Sequence, residues 1–149
     1  MKSFSTLLED HTRPGVYLLK VMPPVKEMEK QTTAKGFAFF HIEGQKIEKK
    51  EQFLNHAALV MHFPETFGNN WDAFEDCLTD LSWMDDDKAE NGYVILFDHF
   101  ESFADHHESQ LETVVEIFQS ATEYWHDQGK AMFVLLHGKG GKELELQTI

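Results

Sequence analysis

Carboxylates carry the first chemical signal in this sequence. In the stretch Phe67-Gly68-Asn69-Asn70-Trp71-Asp72-Ala73-Phe74-Glu75-Asp76-Cys77-Leu78, Asp72 and Asp76 stand four residues apart, Asp80 repeats the interval, and Glu75 lies between. Residues at i and i+4 share one face of a helix. A helix here therefore lines up like charges, at a cost of roughly 0.2–0.5 kcal/mol per pair. Asp72, near the helix start, gains from the helix dipole, which is a purely structural reason for its presence. That gain fades about a turn further in, at Asp76. Such a face is either a solvated acidic surface or a surface for a cationic partner. A carboxylate pair for glycoside hydrolysis does not fit, because Asp72 and Asp76 share one exposed face and no cleft is implied.

Among nine histidines, the best grouping for a metal is Asp98, His99, Asp105, His106 and His107 in FDHFESFADHH. The spacing matches none of the usual zinc patterns, and adjacent histidines in a loop need not converge. The preferred reading is a polar surface loop; a metal-dependent enzyme is the competing class. Cys77 falls beside Phe74, Leu78 and Leu81 on the apolar side of the helix, where a free thiol is usually packed and inert. The run HGKGGK (137–142) lacks the Ser or Thr that follows the lysine of a phosphate loop. No acid, base and nucleophile converge, so the expectation is a protein that is not an enzyme and uses no cofactor or metal.

The elements that must position these groups follow from pattern. Residues 16–22 (VYLLKVM) read as a strand stopped by Pro23-Pro24, and 25–35 as a polar connector with at most a helical turn. FAFFHI (37–42), YVILFD (93–98) and AMFVLLH (131–137) are continuously apolar, as strands buried on both faces are. Residues 46–63 read as a helix closed by Pro64. The next helix opens after Asn69-Asn70, because an asparagine side chain accepts a free backbone N–H at a helix start. Trp71, Phe74, Leu78 and Leu81 form its apolar stripe. Residues 85–92 read as a solvated loop and 108–129 as a long helix capped by Gly129. Residues 138–149 read as a flexible tail. Apolar strands alternating with helices predict an α/β fold with a short parallel sheet.

Length, charge and cysteine usage bound the function. The 149 residues suit one domain with a substantial core. A single cysteine rules out an intrachain disulfide and fits a reducing cytosol. The opening ten residues are too polar for a signal-peptide core, and no apolar run is long enough to span a membrane. The expectation is a cytoplasmic protein with no membrane partner. Net charge is −13, divided as +2 over residues 1–60 (9 basic, 7 acidic) and −15 over residues 61–149 (4 basic, 19 acidic). That field repels phosphate backbones and so argues against direct nucleic-acid binding; it attracts metals, small bases or a basic protein.

The stretch FPETFGNNWDAFEDCLTDL resembles the barstar family, intracellular inhibitors of extracellular ribonucleases. Phe67, Gly68, Asn70, Asp72, Ala73, Asp76, Cys77 and Leu78 match the family run of aromatic-Gly-x-Asn-x-Asp-Ala-Leu-x-Asp-Cys-Leu, with Phe74 in the leucine position. FAFFHIEGQKI, GYVILFDHFESF, VVEIFQSA and GKAMFVLL are similar to the family's other elements, so the resemblance spans residues 37–137. Residues 1–36 form an N-terminal extension like that of longer members. The resemblance implies a three-stranded parallel sheet with helices packed on it, plus a possible extra N-terminal edge strand. It also implies binding rather than catalysis, with the acidic helix and its preceding loop plugging the active site of a basic ribonuclease or nuclease-like toxin. By motif, Asp76 takes the place of the substrate phosphate and Asp72 supports it, while Gly68 and Asn70 shape the loop and helix start. Glu75 and Asp80 join that surface where the family has a tryptophan and a glycine. Thr66, Leu81, Ser120, Ile117 and Lys130 also depart from the family pattern. The free protein is expected to be a monomer. The alternative is a barstar-like module whose partner is not a nuclease.

Overall fold

Alternation along the strands divides the apolar residues between two faces. The computed structural model describes residues 4–8, 13–84, 87–141 and 144–149, except the side chains of residues 5 and 104–109. In chain order the elements are α1 (Phe4–Leu7), β1 (Gly15–Leu18), α2 (Val25–Ala34), β2 (Phe37–Glu43), α3 (Lys50–Val60), α4 (Trp71–Leu78), β3 (Gly92–Asp98), α5 (Glu101–Asp127), β4 (Ala131–His137) and β5 (Gln147–Thr148). A 3-10 turn, Gly44–Lys46, joins β2 to α3. β3 is flanked by β2 and β4, and all seven of its residues are buried, as its unbroken apolar run requires.

One face of the sheet carries Ala38, Phe40, Ile42, Tyr93, Ile95, Phe97, Met132, Val134 and Leu136 against α3, α4 and α5. The other carries Phe37, Val94, Leu96, Phe133 and Leu135 against Met28 of α2 and Phe4 and Leu7 of α1. The helices thus form two layers around a central sheet.

The sheet corrects the three-stranded expectation. It has five strands in the order β2-β3-β4-β1-β5, and every pairing is parallel. β1 is not an edge strand: it lies between β4 and β5, with Val16 opposite Val134 and Tyr17 opposite Gln147. The last residues, expected as a tail, supply β5. Ile149 N–H donates to the Leu18 carbonyl at 2.8 Å, and Lys20 N–H to that of Ile149 at 3.0 Å. A two-residue strand is too short to leave a periodic signature, so only its partner reveals it.

Several helices also differ from expectation: α3 begins at Lys50 rather than 46, and α4 ends at Leu78, leaving Asp80 and Leu81 beyond it. Residues 25–34 form the ten-residue α2 rather than a connector; buried Met28 and Thr32, at i and i+4, are the narrow face that seats it. α5 begins at Glu101, not 108, so the expected polar loop is already helical backbone there. It ends where Gly129, at φ +86°, turns the chain toward β4.

The apolar stripe of α4 reaches the sheet through aromatic side chains of α3 and α5. Phe53 of α3 lies 5.3 Å from Phe74, 5.4 Å from Phe97, 5.7 Å from Phe103 and 6.5 Å from Phe118, ring centre to ring centre. It is fully buried. Phe53→Ala is expected to lower unfolding free energy by about 3–5 kcal/mol, as large-to-small core changes do. Urea unfolding would show this as a lower midpoint at unchanged slope. A midpoint equal to the parent's would mean the cluster is not what seats α4.

Candidate functional site

The acidic helix starts where the sequence places it. Asn70 is its N-cap, and its Oδ1 accepts the Ala73 N–H at 2.7 Å. Its Nδ2 donates back to the Gly68 carbonyl at 3.3 Å. The left-handed residue of the preceding loop is Asn69, at φ +51°. Gly68 is not in that region, so the chain reverses on an asparagine, one of the side chains that tolerates it. The resemblance gives the loop to Gly68 and Asn70, and the Asn69-Asn70 pair marks the helix start, but that Asn69 rather than Gly68 makes the left-handed turn shows only in the backbone.

Phe74, Cys77 and Leu78 are buried, and Leu81 follows them into the core. On the opposite side Asp72, Glu75, Asp76 and Asp80 are all exposed, together with Gly68 and Asn70. All six expected site residues are therefore exposed: Gly68 and Asn70 before α4, Asp72, Glu75 and Asp76 on it, and Asp80 in the turn after it. Among the described residues, no ion pair engages any of the four carboxylates.

Three indole N–H groups hold this surface in place. Trp71 Nε1 donates to Gln110 Oε1 at 3.0 Å, tying the helix start to α5. Trp125 Nε1 donates to the Leu78 carbonyl at 2.8 Å, filling one of the open acceptors at the helix end. Trp83 Nε1 donates to the Met61 carbonyl at 3.0 Å, fixing the segment after α4 to the end of α3. None of these is visible from sequence spacing, because the partners lie 22 to 47 residues away.

Cys77 behaves as the packing residue its stripe suggests. Burial pushes its thiol pKa up, and the Asp80 and Asp76 charges push the same way. A thiol so placed is protonated at neutral pH and a poor nucleophile. Ile117 of α5 is buried. Ser120 lines a cleft of about 630 Å³ with Arg13, Gly15, Val16 and Tyr17. The HGKGGK segment receives a carboxylate from the chain itself, since Lys139 N–H donates to Glu101 Oε2 at 3.2 Å.

Asp98 and His99 belong to a structural network at the carboxyl ends of β2 and β3. Asp98 Oδ2 lies 2.7 Å from His41 Nε2, and its Oδ1 accepts the Gly44 N–H at 3.1 Å. Burial would raise the Asp98 pKa, but the hydrogen bonds from His41 and Gly44 hold it below the usual carboxylate value. Gly44 is required here, because a Cβ at that position would stand 2.0 Å from the Asp98 carbonyl oxygen. The side chains of Asp105, His106 and His107 lie outside the described residues. Among the described residues, no three metal-binding side chains converge.

His56 of α3 closes this network by accepting the Glu43 N–H on its Nε2 at 3.0 Å. Burial lowers the His56 pKa, against the opposing pull of Glu43. The unfolded state then binds more protons below about pH 6.5, so the stability contribution is full above that value and falls as pH drops through it. The parent is expected to lose more stability than His56→Gln between pH 7.5 and 5.5, read by urea midpoints. Equal losses would show that this acceptor role carries no linkage.

Comparisons with known proteins complete the description. The family model described as Barstar (barnase inhibitor) matches residues 37–137. Similar solved structures include Cdc6p from Pyrobaculum aerophilum, at 13% identity and a TM-score of 0.60, over 93% of this chain and 37% of that one. The ORC2 protein of Aeropyrum pernix, solved in ADPNP–ADP complexes, is similar at 12% identity and a TM-score of 0.60, over 95% of this chain and 41% of that one. No curated protein matches. The chain spans about two fifths of the length of these structures, and at such identities the likeness shows fold alone. It runs over nearly the whole chain, beyond residues 37–137, which a three-stranded sheet would not sustain. The nucleotides belong to the Aeropyrum protein: here the β1–α2 connection, Leu19-Lys20-Val21-Met22-Pro23-Pro24, contains no glycine with which to cradle a phosphate.

Proposed function

The chain belongs to the barstar family, and from that premise we propose that it is a protein inhibitor of a ribonuclease or nuclease-like toxin. The observation that carries the proposal is the surface of α4: three exposed, unpaired carboxylates on a helix whose other side is fixed in the core, with a fourth, Asp80, in the turn just after it. In this reading α4 and its preceding loop enter a basic active site. Asp76 stands among the cations that would hold a substrate phosphate, Asp72 supports it, and Glu75 and Asp80 widen the negative surface. Asn70 and Gly68 set the approach of the loop. Charge-assisted hydrogen bonds from arginine or lysine to these carboxylates are about twice as strong as neutral ones. Packing of its apolar side against the core leaves the helix less conformational entropy to lose on binding, and the net charge of −13 speeds encounter with a basic partner.

The protein's role in this proposal is occlusion rather than catalysis, in the cytoplasm, as a free monomer that neither contacts nucleic acid nor a membrane. Capture of a partner from the native lysate at low salt, followed by calorimetry, tests it. Asp76→Ala is expected to cost about 2–5 kcal/mol of binding, a general range for desolvated charge pairs to which this same family contributes. Asp72→Ala should cost less. Asp86 in the run 85–87 would be the natural rim control by sequence, but it lies outside the described residues. Glu29, exposed on α2 across the sheet, serves instead; Glu29→Ala should change mainly the association rate and its salt dependence. Equal losses for Asp76 and Glu29 would mean that the field binds diffusely, and the inhibitor reading would fail. A captured partner with no nuclease activity would favour the module with a different partner.

A further inference from the structure

Trp71 is the one residue of the α4 stripe that is only half-buried. Part of the ring rests on the core, 5.9 Å from Phe53 and 6.1 Å from Phe74 between ring centres. Its edge is pinned by the Gln110 hydrogen bond. Lys50, the first residue of α3, places its Nζ 5.3 Å from the ring centre. That distance falls within the reach of a cation–π interaction, and an indole is the strongest of the aromatic acceptors. No ion pair among the described residues holds the Lys50 ammonium, so the ring is the contact that places it.

The surroundings favour a cation more than Lys50 itself uses. Asp72 follows Trp71 directly, and Glu75 stands four residues on, over the same side of the helix. A guanidinium can stack flat on an indole and direct its N–H donors sideways to carboxylates, whereas an ammonium on a flexible stem cannot do both in a fixed geometry. Lys50 is also strongly hydrated and tethered by a long side chain, which makes it displaceable.

We propose that the ring face of Trp71 now covered by Lys50 is a receptor for an arginine side chain of the partner, which displaces Lys50 when the complex forms. Trp71 is then the aromatic anchor of the acidic surface, and Lys50 an internal competitor that lowers its affinity for weaker cations. The identity of the partner rests on the inhibitor reading; the affinity of the ring for a guanidinium does not.

The probe is an amidated Gly-Arg-Gly peptide, titrated into the full chain labelled with nitrogen-15. The indole N–H resonances of Trp71, Trp83 and Trp125 are followed at low and high salt. The Trp71 signal should move while those of Trp83 and Trp125, both bonded to backbone carbonyls, stay fixed. Lys50→Gln should tighten peptide binding by about 2–5-fold relative to Lys49→Gln, the worth of an exposed cation–π contact. Lys49 is exposed and one residue earlier, so it removes the same charge without uncovering the ring. In the Trp71→Leu background that advantage should vanish. If Trp71→Leu fails to fold, the comparison of Lys50→Gln with Lys49→Gln still decides. An unmoved Trp71 resonance, or equal effects of the two lysine variants, overturns the proposal. Loss of nuclease binding in Asp76→Ala alongside equal lysine effects would leave the inhibitor reading standing and remove only the arginine receptor. A lysate partner that is not a nuclease would leave these titrations unchanged.

Discussion

Phe53 is the constraint on which the acidic surface of α4 depends. It has no exposed surface, and its ring meets residues of three other elements: Trp71 and Phe74 on α4, Phe97 on β3, and Phe103 and Phe118 on α5. Aromatic pairs of this kind contribute about 0.5–1.5 kcal/mol each beyond the area they bury. An eight-residue helix such as α4 has no stability of its own in water, where isolated helices shorter than roughly 12–15 residues are marginal. It exists because its apolar side enters this cluster, and its carboxylates point outward for the same reason.

The network at the end of β2 sets where Phe53 can stand. Asp98 binds the Gly44 N–H, and His56 takes the Glu43 N–H. Between them they fix the turn that launches α3, and so the angle at which Phe53 enters the core. Of the residues that looked most like a metal site, Asp98 is therefore part of the scaffold of the acidic surface, through His41 and Gly44. A buried carboxylate that already has a histidine and a backbone amide on its two oxygens has little left to offer a ligand.

Fixing α4 from behind also explains how it tolerates its own charge. Asp72 and Asp76 repel one another along the helix, with Asp80 just beyond its end, and no internal cation among the described residues pairs with them. The cost is small in water, where exposed charges at this spacing are screened. Burial of Phe74 and Leu78 alone, at about 1.5–3 kcal/mol each, exceeds it. The free protein thus carries repulsion that a basic surface would relieve.

The sequence by itself determined what local physics controls. The unbroken apolar runs at 37–42, 93–98 and 131–137 left no option but strands covered on both faces, and Asn70 ahead of an amphipathic run marked the start of α4. The spacing of Asp72 and Asp76 put them on one face, although α4 ends at Leu78 before Asp80 can join it, and the motif around them was specific enough to identify the family. Only the tertiary structure decided how many strands the sheet has and where β1 goes. Strand order is a matter of which backbone edges meet, and β5 consists of Gln147 and Thr148, whose types say nothing without Tyr17 and Leu18 beside them. The same holds for Lys50 on Trp71, Trp125 on the Leu78 carbonyl and His56 on the Glu43 N–H. Each joins residues distant in the chain through a single directed contact, and such contacts leave no periodicity for a sequence to show.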